Sequence, residues 1–150
     1  MSITYAHTNI ISCNWRKLAE FYIEVFDCKP VPPARDLSGE WLEKGTAVQN
    51  ARLEGMHIRL PGGGENGPTL EIYSYEAMLE RSGSPAANRK GFGHIAFRVD
   101  DVRKTLEAVT SHGGSALGEI VTHEVTGVGK LTFVYAADPD GNIIEIQRWD

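Results

Sequence analysis

Tyr5-Ala6-His7-Thr8-Asn9-Ile10-Ile11 and Gly91-Phe92-Gly93-His94-Ile95-Ala96-Phe97-Arg98-Val99 share one design, a histidine leading into a short apolar strand. Each is followed, later in its half of the chain, by a glutamate in the middle of a β-type run: Thr69-Leu70-Glu71-Ile72-Tyr73 and Ile143-Ile144-Glu145-Ile146-Gln147. One imidazole and one carboxylate per half make a ready ligand set for a divalent metal. Taken singly, a strand histidine is as often a hydrogen-bonded structural residue, and a strand glutamate more often a solvated one. The repetition at equivalent places is what points to metal.

Working outward from these strands, both halves give the same order of elements. Residues 3–11 alternate as a strand, and Asn14 offers an N-cap to a helix whose apolar positions Leu18, Phe21, Tyr22 and Val25 follow the helical period, ending at Cys28-Lys29-Pro30. After Pro30, Pro32 and Pro33 come strand candidates at 40–42 and 51–60, a turn at 61–68, and a strand at 69–75. The second half repeats the pattern. A strand at 91–99 precedes a helix capped by Asp100 or Asp101, which carries Val102, Leu106 and Val109 and stops at Gly113-Gly114. Strands at 116–121, 130–136 and 142–148 complete it, with Asp138-Pro139-Asp140-Gly141 as the last turn. The expected fold class is therefore α+β, two tandem βαβββ modules: module one at 1–76, a connector at 77–90 with a short helix at 76–81, and module two at 91–150.

Strand alternation sets the direction of the polar side chains, because successive residues point to opposite faces. Ile95, Phe97 and Val99 share one face, with His94 and Ala96 on the other; Leu70 and Ile72 oppose Glu71, Ile144 and Ile146 oppose Glu145, and Ala6 and Thr8 oppose His7. All four ligand-type residues are thus expected on faces turned away from the helices, where curled sheets could form a metal-binding cup.

A chain of 150 residues with 41% hydrophobic and 23% charged residues has the size and composition of a single globular domain spanning 1–150. The formal charge of −5, with no run of Lys or Arg able to track a phosphate backbone, argues against nucleic acid as a partner. No stretch reads as a membrane span, and residues 1–6 enter a strand pattern without the basic and apolar regions of a signal peptide, so a cytoplasmic location is expected. Cys13 and Cys28 have neither Cys-x-x-Cys spacing nor a second soft ligand nearby, and are expected to be reduced packing residues.

Three segments together carry a resemblance that covers nearly the whole chain: Gly93-His94-Ile95-Ala96-Phe97-Arg98-Val99-Asp100-Asp101 with its helix ending in Gly113-Gly114, the terminal Asp138-Pro139-Asp140-Gly141-Asn142-Ile143-Ile144-Glu145-Ile146, and His7 followed by Asn14-Trp15 and Lys17-Leu18-Ala19 with Phe21-Tyr22. The chain resembles the vicinal-oxygen-chelate superfamily, which comprises the glyoxalase, bleomycin-resistance and extradiol-dioxygenase proteins. The resemblance implies paired βαβββ units around one divalent ion, a homodimer, and the ligands His7, Glu71, His94 and Glu145. Dioxygenase and fosfomycin-resistance members generally use a His, His and Glu set without a carboxylate at the place of Glu71. A fourth ligand there resembles lactoylglutathione lyase and, with glutamine in that place, methylmalonyl-CoA epimerase. The bacterial lyases tend to hold glutathione with an arginine four positions after the first His and an asparagine four after the first Glu; this chain has Ile11 and Tyr75. The second catalytic carboxylate of the epimerases falls nearest Val48 and Gln49.

Two neutral imidazoles and two carboxylates around a divalent ion are formally neutral, which makes burial tolerable. Mixed N/O donors without sulfur suit Ni, Co, Zn, Mn or Fe(II). The implied chemistry is a lyase or isomerase of glyoxalase I type, in which a proton moves next to a carbonyl through a metal-stabilised enolate or enediolate and Glu145 or Glu71 is the catalytic base. The alternatives are a dioxygenase or thiol transferase of the same superfamily, or a non-catalytic binder of a small molecule such as an antibiotic. Tyr73, Tyr75, Arg98 and Tyr135 are candidates for contact with the small-molecule substrate. His57 on a strand reads as structural, His112 in a helix-ending turn as solvated, and His123 beside Glu124 as a surface loop residue. The runs 62–64 and 113–114 lack the Lys-Ser/Thr ending of a phosphate loop.

Overall fold

The computed structural model describes all residues, 1–150. The chain divides into two compact units, Met1–Arg81 and Ser82–Asp150, with the division falling inside the expected connector. Unit one contains β1 (His7–Ile11), α1 (Trp15–Phe26), β2 (Lys29–Ser38), α2 (Glu40–Thr46), β3 (Arg52–Arg59) and β4 (Thr69–Tyr75). Its sheet runs β1-β4-β3-β2, with β1 and β4 parallel and the other pairs antiparallel. Unit two contains β5 (Ile95–Arg98), α3 (Val102–Ser111), β6 (Ser115–Ala116), β7 (Val121–Val125), β8 (Gly129–Ala137) and β9 (Ile143–Trp149). Its order is β5-β9-β8-β6, with β7 continuing the same edge of β8. The protein is α+β, with two mixed sheets and one principal helix on each.

Each helix starts where the sequence offers a cap. The Asn14 side chain accepts from the Lys17 N–H at 3.1 Å, and Asp101, not Asp100, accepts from the Lys104 N–H at 3.0 Å. Helix α3 ends in a Schellman turn: Gly113 takes φ 94°, and the Gly114 N–H donates to the Val109 carbonyl at 2.9 Å. Helix α1 packs on β3 and β4, burying Leu18, Phe21 and Tyr22 in the same core as Ile58, Leu70 and Ile72; α3 packs on β8 and β9, where Val102 and Val109 share a core with Val134, Ile144 and Ile146. Complete burial of side chains of this size contributes about 1.5–3 kcal/mol each. With Leu70, Ile72, Ile144 and Ile146 turned to the helices, period-2 alternation turns Glu71 and Glu145 the other way.

Several boundaries differ from expectation. Strand β1 starts at His7, not at residue 3, and β5 starts at Ile95, leaving His94 just ahead of it. The Pro-rich stretch lies inside β2, on the sheet edge, where missing N–H donors are tolerated, and the ladder slips between Val31 and Arg35 around those prolines. Residues 40–42 begin a helix instead of a strand. Exposed Trp41 beside buried Leu42 imitates strand alternation, whereas acidic Glu40 and Glu43 in the first turn and a Glu40–Lys44 ion pair of 2.7 Å favour the helix. Residues 76–81 form no helix; so short a segment lacks the length to offset helix nucleation, and Leu79 finds no apolar surface to cover.

The strand expected at 116–121 is split into β6 and β7, because the Leu117 and Gly118 N–H groups both donate to the Tyr135 carbonyl, at 2.9 and 3.1 Å. His123 and Glu124 consequently lie on strand β7, exposed, and not in a loop. His112 is exposed at the α3 C-cap, as expected.

Cys28 is fully buried, but Cys13 is exposed, so only one of the two is a packing residue. Burial, reinforced by the charge of Asp27, pushes the Cys28 thiol up to about 12. Because the thiolate is the reactive form, Ellman's reagent at pH 8 is expected to titrate one thiol of the native protein quickly and the second only in denaturant. Two thiols reacting at the same rate in the native protein would contradict the burial of Cys28 between α1 and β2.

Candidate metal centre

The register of each sheet places its histidine and glutamate in the same way. In unit one, β1 pairs His7 with Thr69 and Asn9 with Glu71; in unit two, β5 pairs Ala96 with Glu145, with His94 two residues earlier. His7 Nε2 lies 3.7 Å from Glu71 Oε1, and His94 Nε2 lies 2.9 Å from Glu145 Oε2. Both glutamate side chains are only 15% exposed, too covered to be solvated charges on an open sheet face.

The third strand of each sheet adds a neighbour. Tyr135 on β8 stands opposite Glu145, its ring centroid 4.9 Å from that of His94. The corresponding place on β3, opposite Glu71, is His57. His57 Nε2 approaches Glu71 Oε2 at 2.9 Å and its Nδ1 lies 2.9 Å from Thr69 Oγ1, so the residue expected to be merely structural belongs to the site cluster. Donor atoms of His7, His57 and Glu71 all fall within 4.8 Å of one another. Burial pushes His57 below its ordinary value of 6.5, while the Glu71 charge pulls the other way. The neutral ring thereby favoured is the form that binds metal.

Asn9, which the sequence did not single out, donates from Nδ2 to Glu71 Oε1 at 3.0 Å and fixes the carboxylate plane. Its signal was available only in the parallel register with β4. Both edge strands break beside this row of residues: β2 slips just past Val31, which faces His57, and the β6–β7 interruption lies against Tyr135. Such irregularities re-aim side chains next to functional sites.

The four candidate substrate contacts are distributed differently. Tyr73 is buried and packs with Leu42, Ala51 and Leu53, while its hydroxyl reaches to 3.4 Å from His57 Nε2. Burial, with the neighbouring Glu71 charge, pushes that hydroxyl up to about 12, so it remains protonated at neutral pH. Tyr75 packs against the same apolar cluster. Arg98 is exposed and, with Ala96, Val128, Gln147 and Trp149, lines an open depression of about 480 Å³ in unit two. Gln147 is two residues after Glu145 and Ala96 stands opposite it, so this depression adjoins the Glu145 face of the sheet. Tyr135 is half-buried beside His94.

The donor chemistry fits a divalent ion. Atoms bound to one ion at about 2.1 Å lie roughly 3.0 Å apart at a right angle and roughly 3.4 Å apart at the tetrahedral angle. The 2.9 and 3.7 Å separations in unit one and the 2.9 Å separation in unit two bracket those values. No sulfur is among the donors, which points away from a structural zinc site and toward the O/N-ligated ions.

The profile of the Glyoxalase/Bleomycin resistance protein/Dioxygenase superfamily matches residues 4–146, and the chain belongs to that superfamily. Among solved structures, a glyoxalase family protein from Bacillus cereus superimposes with a TM-score of 0.83 over 99% of this chain and 95% of that one, at 16% identity. A fosfomycin resistance protein from Listeria monocytogenes, complexed with Mn(II) and sulfate, gives a TM-score of 0.54 at 12% identity, covering 100% of this chain and 94% of that one. These likenesses show the fold. A probable lactoylglutathione lyase from Vibrio parahaemolyticus is 40% identical over 57 residues, which is 37% of this chain and 38% of that protein. A chloroplastic probable lactoylglutathione lyase from Arabidopsis thaliana is 43% identical over 56 residues, only 15% of its length. No helix is long and apolar enough to cross a membrane.

Proposed function

We propose that the protein is a divalent-metal-dependent lyase or isomerase of glyoxalase I type, acting on a small molecule with adjacent oxygens, in the cytoplasm and as a homodimer. The observation that supports this most is the repeated register: in each sheet a carboxylate on the last strand faces the first strand two residues past a histidine. His7 and Glu71 in unit one and His94 and Glu145 in unit two are the ligands in this reading. When bound, Ni, Co, Zn, Mn or Fe(II) supplies Lewis-acid stabilisation of negative charge developing on a substrate oxygen.

The residues themselves supply the proton transfer. Glu71 is tied by Asn9 and His57, whereas the polar partner of Glu145 is His94. That difference favours Glu145 as the base, with Glu71 held in place. The Glu145 carboxylate takes the proton from carbon next to a carbonyl, and the same proton returns to the neighbouring carbon; no oxidant or reductant enters. Arg98 and Gln147 line the adjoining depression and offer donors to an anionic substrate group.

The test is turnover of the hemithioacetal formed from methylglyoxal and glutathione by chelator-stripped protein reloaded with each of Ni, Co, Zn and Mn. Activity is expected with at least one ion and none after stripping. Stoichiometric metal uptake without turnover would retire the lactoylglutathione substrate, and absence of tight uptake would retire the enzyme in favour of a binder.

A further inference from the structure

The two sheets carry the same His–Glu pair, yet the surroundings of the pair differ. Reading equivalent register positions across, Asn9 in unit one corresponds to Ala96 in unit two, Thr69 to Ile143, and His57 to Tyr135. Polar, hydrogen-bonding groups thus occupy unit-one places that are apolar or aromatic in unit two.

The arrangement has the form of a ligand with its supports. Thr69, itself buried, stands 2.9 Å from His57 Nδ1, placed to accept an Nδ1–H when Nε2 binds an ion. Nε2 and Glu71 Oε2 stand 2.9 Å apart, a spacing that an Nε2–H···O hydrogen bond fills without an ion and that two donor atoms bound to one ion would also keep. A ligating imidazole that gives its other N–H to an oxygen acceptor is the usual second partner arrangement of a metal histidine. The T-shaped contact of the His7 and His57 rings, centroids 5.4 Å apart, sets their nitrogens at an angle and not stacked.

We propose that His57 is a metal ligand of unit one, joining His7 and Glu71 in a two-histidine, one-carboxylate set on a single sheet. It rests on the reading above only for the presence of a divalent ion, and not for the reaction. Two histidines and one carboxylate on one face of an ion leave its remaining positions open. The single carboxylate of this set leaves one positive charge on a divalent ion, which a second anionic oxygen would balance, whether the Glu145 carboxylate of the proposed ligand set or a carboxylate, enolisable carbonyl or hydroxamate of a bound molecule. His57 therefore gives unit one a complete coordinating face of its own.

The experiment uses the full chain. Cu(II) is bound at one equivalent and coordinated imidazoles are counted by pulsed electron paramagnetic resonance, while Co(II) affinity is measured by chelator competition, for the protein as it stands and for His57→Gln. The expected result is one imidazole fewer in His57→Gln, an altered Co(II) visible spectrum, and a fall in affinity at or beyond the roughly 10–100-fold seen when an outer partner is lost. Should His57→Gln fold poorly, a Zn(II) titration of the unmodified protein labelled with ¹⁵N-histidine replaces it, and the His57 Nε2 resonance is expected to move to the metal-bound range together with that of His7. An unchanged imidazole count, or a His57 ring that does not shift, overturns the proposal while leaving the metal-dependent function standing. No uptake of Cu, Co or Zn by the unmodified protein overturns both.

Discussion

Glu145→Gln is expected to slow turnover of the methylglyoxal–glutathione hemithioacetal by about 10²–10⁴-fold, the range a positioned general base contributes. Glutamine matches glutamate in size and keeps the β9 backbone pairing between Ile144 and Ile146, so the core of unit two is undisturbed. Its amide oxygen can still face His94, but it cannot take a proton from carbon. Metal content has to be measured on the same sample, because a variant that has lost its ion would lose rate for a different reason. With full loading, the loss should fall in kcat and persist at saturating substrate. Glu71→Gln, whose carboxylate is already engaged by Asn9 and His57, is expected to lower metal affinity more than it lowers kcat at full loading. Retained turnover in fully loaded Glu145→Gln would remove Glu145 from the role of base, and the opposite ranking of the two variants would transfer that role to Glu71.

The largest stability effect is expected at Gly55. This residue stands opposite Tyr73 in the β3–β4 ladder, and a Cβ placed on it would lie 2.1 Å from the Ile72 carbonyl oxygen and 2.3 Å from Tyr73 Cδ1. The ring of Tyr73 thus covers the glycine, and this placement lets its hydroxyl reach His57. Gly55→Ala forces both a backbone carbonyl and an aromatic ring to move. Overpacking in a core typically costs about 1–3 kcal/mol and occasionally more; with a backbone atom in the way, the upper end of that range is expected here. For a chain of this length each kcal/mol lowers Tm by about 2–4 °C. The double variant Gly55→Ala/Tyr73→Ala should recover part of the additional cost, because the ring is removed while the carbonyl remains. Thermal unfolding of the four proteins in this cycle measures the coupling, and a Gly55→Ala protein as stable as the parent would mean that the two strands do not approach as described.

Much of the fold was legible because it is written in local periodicity. Leu18, Phe21 and Tyr22 on a 3.6-residue repeat, Asn14 at the N-cap, and Gly113-Gly114 at a helix end each act within a few residues of themselves. The alternation of Leu70, Glu71 and Ile72 gave the direction of Glu71 without knowledge of any neighbour. The failures are of the opposite kind. The helix at Glu40–Thr46 is too short for its period to show, and it is held by the burial of Leu42 against Ala51, Leu53 and Tyr73, all distant in sequence from its first turn. The proline-containing β2 looked like a break because prolines end central strands, and only its place at the sheet edge makes them tolerable.

For the site, the sequence by itself determined which residues are of ligand type and which face each occupies: His7, Glu71, His94 and Glu145, repeated once per module and turned away from the helices. A side chain's face depends on a period of two, which any strand carries within itself. The tertiary structure decided which groups meet. His57 reaches Glu71 only because the turn between β3 and β4 sets a register that puts them opposite; a slip of one residue would turn His57 to the helix side and bring Ile58 into its place. Asn9 reaches the same carboxylate through a parallel pairing across more than sixty intervening residues. Register belongs to the pairing of two strands and not to either strand alone, which is why the pair of His–Glu modules could be read in the sequence and the company that Glu71 keeps could not.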